Sequence, residues 1–120
     1  MEESNAYKEL SKEQLRVYKL QLPGESMKAC GDRLNQKISG VGRIKLREDK
    51  PSNTITTKPE IWHYKNPRSL SINEVKLICS FPTDYFTGHT FAKKWERLGR
   101  AVPPLMMAKI AYHIYKTILL

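Results

Sequence analysis

The sequence predicts an α+β fold: a small domain of irregular β-strands and short helices, plus a carboxy-terminal helix that docks on a surface outside these 120 residues. Three features predict it. Capping patterns stand at Ser11 with Gln14 and at Ser71 with Glu74, each followed by apolar residues at helical spacing. Residues 24–60 between them are loop-rich, with one short period-2 alternation. The last stretch is apolar over most of a helical circumference, which favours docking outside these residues over the alternative of a helix central to a compact small domain.

Residues 5–20 read as a helix, in which the Ser11 capping box marks a break between two short pieces. Leu15, Tyr18 and Leu22 form its apolar stripe. Pro23-Gly24 ends it, because proline cannot continue a helix and glycine permits the turn. A strand is expected at 42–46, where Arg43, Lys45 and Arg47 alternate with Ile44 and Leu46, placing three cations on one face. A second is expected at 53–57. Ser71-Ile72-Asn73-Glu74 opens a helix that runs to about Ser80 and buries Val75 and Ile78, and Phe81-Pro82 stops it.

Trp95 and Leu98 stand at helical spacing before Gly99 and predict a short helix or turn. Pro103 and Pro104 suit the first turn of a final helix, where a missing N–H costs little. At about 100° per residue, Leu105, Ala108, Tyr112, Tyr115 and Leu119 form one apolar stripe. Met107, Ile110, Ala111, Ile114 and Ile118 form a second on the opposite side. Only a narrow wedge of Lys109, His113, Lys116 and Thr117 is polar.

The formal charge is +9, from 21 Lys and Arg against 12 Asp and Glu, and the excess lies after residue 25. That balance favours a polyanionic partner such as nucleic acid, against the alternative of an ordinary solvated basic surface. Cys30 and Cys79 form no C-x-x-C pair, and His63, His89 and His113 lack ligand spacing with them, so neither a metal site nor a disulfide is expected. No signal-peptide pattern opens the chain, and Lys109, His113 and Lys116 interrupt its apolar end. These features predict a soluble, cytoplasmic protein without a membrane partner.

Two runs go beyond generic pattern. Arg68-Ser69-Leu70-Ser71-Ile72-Asn73-Glu74 with Ser80-Phe81-Pro82 resembles the ninth motif of DNA cytosine-5 methyltransferases, Arg-x-Leu-Thr-x-x-Glu closing on Gln-x-Phe-Pro. Leu98-Gly99-Arg100-Ala101-Val102-Pro103-Pro104 resembles the tenth, Ile-Gly-Asn-Ala-Val-Pro-Pro. Upstream, Arg43 through Asp49-Lys50-Pro51-Ser52-Asn53-Thr54-Ile55-Thr56 is similar to the stretch that closes the target-recognition region in bacterial and phage members, and Leu22-Pro23-Gly24-Glu25-Ser26 has counterparts there.

The resemblance implies a division of the chain into a helical lead-in (1–24), a target-recognition region (25–67), a ninth-motif helix and linker (68–97), and a tenth motif with its closing helix (98–120). It implies double-stranded DNA as a partner, with Arg43, Lys45, Arg47, Lys50, Thr54 and Thr56 as contacts and Arg68 bracing the region, Glu74 being its local partner. It implies S-adenosylmethionine as cofactor, lined here by Gly99, Arg100, Ala101 and Val102 and bound mainly elsewhere. The closing helix would pack on a Rossmann-like methyltransferase domain, absent from these residues and supplied by another chain or a missing upstream portion.

The departures are specific. Arg100 stands for the motif's asparagine and Cys79 for its glutamine. An arginine there either fills part of the cofactor pocket, binds the methionine carboxylate, or marks a decayed copy. The family's Phe-x-Gly-x-Gly loop, Pro-Cys nucleophile and Glu-Asn-Val segment have no counterpart, and Cys30 follows alanine. No catalytic residue is therefore expected. A fragment or subunit of the enzyme, an inactive relic, and a non-enzymatic basic DNA-binding module remain as readings.

Overall fold

The computed structural model describes residues 5–38 and 42–120. The first four residues of the lead-in and three of the recognition region lie outside them. The fold is α+β: α1 (Lys12–Leu20), α2 (Met27–Leu34), β1 (Ile44–Lys45), β2 (Ile61–Trp62), α3 (Ile72–Ile78), α4 (Phe91–Arg100) and α5 (Pro104–Ile114), the last ending in a π-helical turn, Tyr115–Leu119.

Both capping boxes form. Ser11 Oγ accepts from the Gln14 amide while the Gln14 side chain accepts from the Ser11 amide, so the helix starts at Lys12 rather than near residue 5. Residues 6–9 instead run alongside 68–72. Lys8 and Ser69 exchange backbone and hydroxyl bonds, and the Ile72 amide donates to Ala6 O. The expected stripe on α1 shifts accordingly: Val17, Tyr18 and Gln21 are buried, and Leu22 is exposed. Gly24, at φ +87°, makes the turn that only a residue without Cβ adopts cheaply, and its amide donates to Lys45 O.

The ladder is minimal. β1 and β2 pair in parallel, Ile44 with Ile61 and Lys45 with Trp62. Single antiparallel bridges extend it on both sides, Ser26 to Ile44 and Trp62 to Ser69, then Glu9 to Arg68. The expected strand at 42–46 is thus present in shortened form. Residues 53–57 form no strand. Their polarity and lack of a pairing neighbour leave them extended over α4 instead.

Two apolar clusters flank this strip. One gathers Leu46, Ile61, Leu70, Ile72, Val75, Cys79, Trp95 and Leu98, and the other Val17, Tyr18, Met27 and Trp62. On α3, Val75 is buried as expected, but Ile78 is 42% exposed. Lys76 and Cys79 take the inner positions, and the buried Lys76 stem delivers its ammonium to Thr83 O at 3.0 Å. Trp95 and Leu98 belong to a helix of ten residues, longer than a turn, that also includes Gly99.

α5 stands apart. No residue of α5 or its terminal π turn is buried. The radius of gyration is 16.6 Å, against about 13.6 Å for a compact chain of this length. A projecting helix of roughly 24 Å accounts for the difference.

Trp95 and Gly99 lie four residues apart on one face of α4, and both meet the backbone of Thr56. The indole N–H donates to Thr56 O at 2.9 Å. A Cβ on Gly99 would stand 2.2 Å from that oxygen. Replacement Gly99→Ala therefore forces helix and loop apart and should lower the unfolding free energy by about 1–3 kcal/mol or more, read by urea denaturation. Trp95→Phe should cost about 2 kcal/mol in the same assay, through the lost donor and the space left by the indole. An unchanged midpoint for Gly99→Ala would contradict this packing.

Candidate nucleic-acid and docking surface

Arg68 and Glu74 form the best-ordered charged group. The Arg68 guanidinium donates to both Glu74 oxygens, at 2.9 and 2.8 Å, and to Ser69 O at 3.0 Å. The same carboxylate accepts the Ser71 amide at 2.8 Å, completing the helix cap. Hydrogen bonding from Arg68, then from the Ser71 amide, holds the Glu74 carboxyl down at about 2 despite partial burial. His63 lies beside the pair, its Nδ1 accepting from the Lys65 and Asn66 amides. Burial, with the Arg68 charge, lowers its pKa and favours the neutral ring. Glu74 is thus the partner expected for Arg68.

The strand cations divide. Ile44 and Leu46 belong to the larger cluster, leaving Arg43, Lys45 and Arg47 outside it. Lys45 nevertheless turns back: its ammonium reaches Tyr18 O at 3.4 Å and Gln21 O at 3.3 Å and sits 4.2 Å above the Tyr18 ring. Arg47 makes a two-bond pair with Asp49. Arg43 is half-buried and lines a cleft of about 190 Å³ with Lys8, Lys58 and Glu60. Lys50, Thr54 and Thr56 are exposed. The basic groups left around the strand are therefore the half-buried Arg43 and Arg47, with the exposed Lys50 in the loop after it, while Lys45 is committed to Tyr18 and Gln21.

The segment 98–104 leaves α4 and enters α5. Gly99 packs on Thr56 and so presents no ligand surface on that side. Arg100 is exposed and pairs with Glu96 at 2.9 Å, one helical turn back. Ala101 is half-buried and Val102 is 50% exposed. Thr56 and Gly99, expected to serve different ligands, are brought into contact. The Trp95 link escaped the sequence reading, although its spacing from Gly99 places both on one helix face.

Burial pushes up the thiol pKa of both Cys30 and Cys79, which disfavours the thiolate a nucleophile needs. Among the described residues no helix is long and apolar enough to cross a membrane.

Because the folded Glu74 pKa lies below its ordinary value of 4.5, its contribution to stability is complete above that pH and lost as pH falls toward 2. The loss should amount to at most about 3 kcal/mol, less because the carboxylate is partly solvated. Denaturation midpoints between pH 6 and 2.5 should show this slope in the native chain and a shallower one in Glu74→Gln. Identical slopes would argue against the pair.

The family model for C-5 cytosine-specific DNA methylases matches residues 1–116. The type II methyltransferase M1.HphI of Haemophilus parahaemolyticus is 37% identical over 83 residues, 66% of this chain and 22% of that protein. The putative type II methyltransferase M.OihORF3336P of Oceanobacillus iheyensis is 34% identical over 79 residues, 62% of this chain and 17% of that protein. The chain thus matches about a fifth of the length of these relatives. No solved structure matches it significantly. With a family match over nearly all of its residues and both motifs in order, the chain belongs to the C-5 cytosine-specific DNA methylase family.

Proposed function

We propose that this chain is the carboxy-terminal part of a DNA (cytosine-5)-methyltransferase. It contributes target recognition through residues 25–67 and completes the S-adenosylmethionine domain with residues 98–120. The observation that carries this reading is α5, a helix apolar on both sides with no residue buried. Its natural cover is the Rossmann-like catalytic domain, supplied by another chain or by residues beyond these. An inactive relic, or a non-enzymatic DNA-binding module, would keep the basic strip but would have no use for such a helix.

Methylation requires the target base to leave the stack, a cysteine thiolate to attack it, and a methyl donor. S-adenosylmethionine supplies the methyl group when bound. The exposed Arg100 and Val102, with the half-buried Ala101, would form one wall of its site, since they lead directly into the docking helix. This chain's residues bind and orient: Arg43, Arg47 and Lys50 meet phosphates or base edges, with Thr54 and Thr56 near the duplex, while Arg68 holds the region rigid. The double use of Lys45 argues that it supports the surface more than it touches DNA.

The test is transfer of labelled methyl from S-adenosylmethionine to mixed-sequence DNA. It is run by this chain alone and by the chain co-produced with the protein encoded immediately upstream. Activity in the pair alone is expected; a folded chain inactive in both settings would overturn the subunit reading. In DNA-binding titrations, Arg43→Ala and Lys50→Ala should each weaken binding across sequences and reduce the salt slope by about one. Lys45→Ala should instead lower stability, through the lost bonds to α1.

A further inference from the structure

α5 begins at a disadvantage. Pro103 at its cap offers no side-chain bond, and Pro104 has no N–H. Leu105 is the first residue with an amide that needs an acceptor, and none exists within its own turn. That acceptor is Ser80 Oγ, at 3.1 Å and 25 residues earlier in the chain. Ser80 itself sits just past the end of α3 with φ 60°, left-handed backbone that residues with a Cβ seldom adopt. Its amide donates to Leu77 O, closing α3. One residue thus ends one helix and caps another, in a conformation that glycine would adopt with less strain. A strained serine whose hydroxyl satisfies a distant helix start is there for the hydroxyl.

We propose that Ser80 is a positioning residue, whose hydroxyl fixes the direction in which α5 leaves the core and so presents the helix in the orientation its docking surface requires. The docking half rests on the function proposed above; the geometric half stands without it. α5 has no buried side chain to orient it. Among the described residues, the short segment 101–103 and this bond to the α3 end are the ties that fix where the helix starts. Removing the bond leaves the core intact and the helix free to swing.

Two replacements separate the roles of Ser80. Ser80→Gly keeps the left-handed backbone and loses the hydroxyl. Ser80→Asn tolerates the same backbone and carries an acceptor oxygen. Residual dipolar couplings on the full chain read the direction of α5 relative to α1–α4. In the native chain both sets should fit one alignment tensor. In Ser80→Gly the α5 couplings should shrink by half or more, while the melting temperature of the core holds or rises as strain is released. Ser80→Asn should restore the couplings. This opposition between a steadier core and a looser helix is not the signature of a generally damaged fold. Unchanged couplings in Ser80→Gly would overturn the geometric half.

The docking half is read by association with the co-produced catalytic portion. Ser80→Gly should weaken it about fivefold, the scale of one helix cap, and Ser80→Asn should recover it. Native association with an equally tight Ser80→Gly variant would overturn this half. Failure of the native chain itself to associate would instead remove the proposed function, and the couplings would still decide what Ser80 does to α5.

Discussion

The carboxylate of Glu74 fixes the register of most of this chain. It accepts two bonds from Arg68 and one from the Ser71 amide, so a single group closes the start of α3 and pins the segment before it. That segment is the hub of the backbone pairing. Ser69 meets Lys8 on one side and Trp62 on the other, and the Ile72 amide reaches Ala6. Residues 6–9, the strand at 61–62 and α3 therefore meet at one short stretch. Charge-assisted, two-pronged bonds suit such a junction because they fix angle as well as distance.

A second junction couples the parts that the family motifs would keep separate. Thr56 lies in the loop after the basic strand, and its carbonyl is covered by Trp95 and Gly99 of α4. The glycine of the tenth motif is thus required by close helix-to-loop packing. Any displacement of the loop at Thr56 would be felt directly at the helix that leads into residues 101–104.

What the sequence made legible were features whose partners lie three or four residues away. Both capping boxes, the Pro23-Gly24 turn and the helical placement of Trp95 with Leu98 were readable for that reason. The circumference of α5 was readable too, because no tertiary contact competes with its pattern. The misreadings share the opposite cause. Residues 53–57 were expected as a strand but have no neighbour to pair with, whereas Ile61 and Trp62 pair yet are both buried and show no alternation. The lead-in lost a turn of helix to pairing with residues 60 positions away. Ile78 follows Val75 at helical spacing, but the buried Lys76 stem shows that a long cation can outcompete an isoleucine when a carbonyl waits at the far end. The bond from Leu105 to Ser80 spans too many residues for any local rule to suggest it.

The bareness of α5 also bears on how much of the chain a cell can hold. Exposed apolar surface of this extent is what promotes self-association, and it is what chaperones and proteases engage. A copy whose helix is covered escapes them, and a copy left in water does not. On the proposed docking, the residues that would join the chain to a larger body would also limit the number of molecules that persist without one, so that supply would follow the availability of a binding surface.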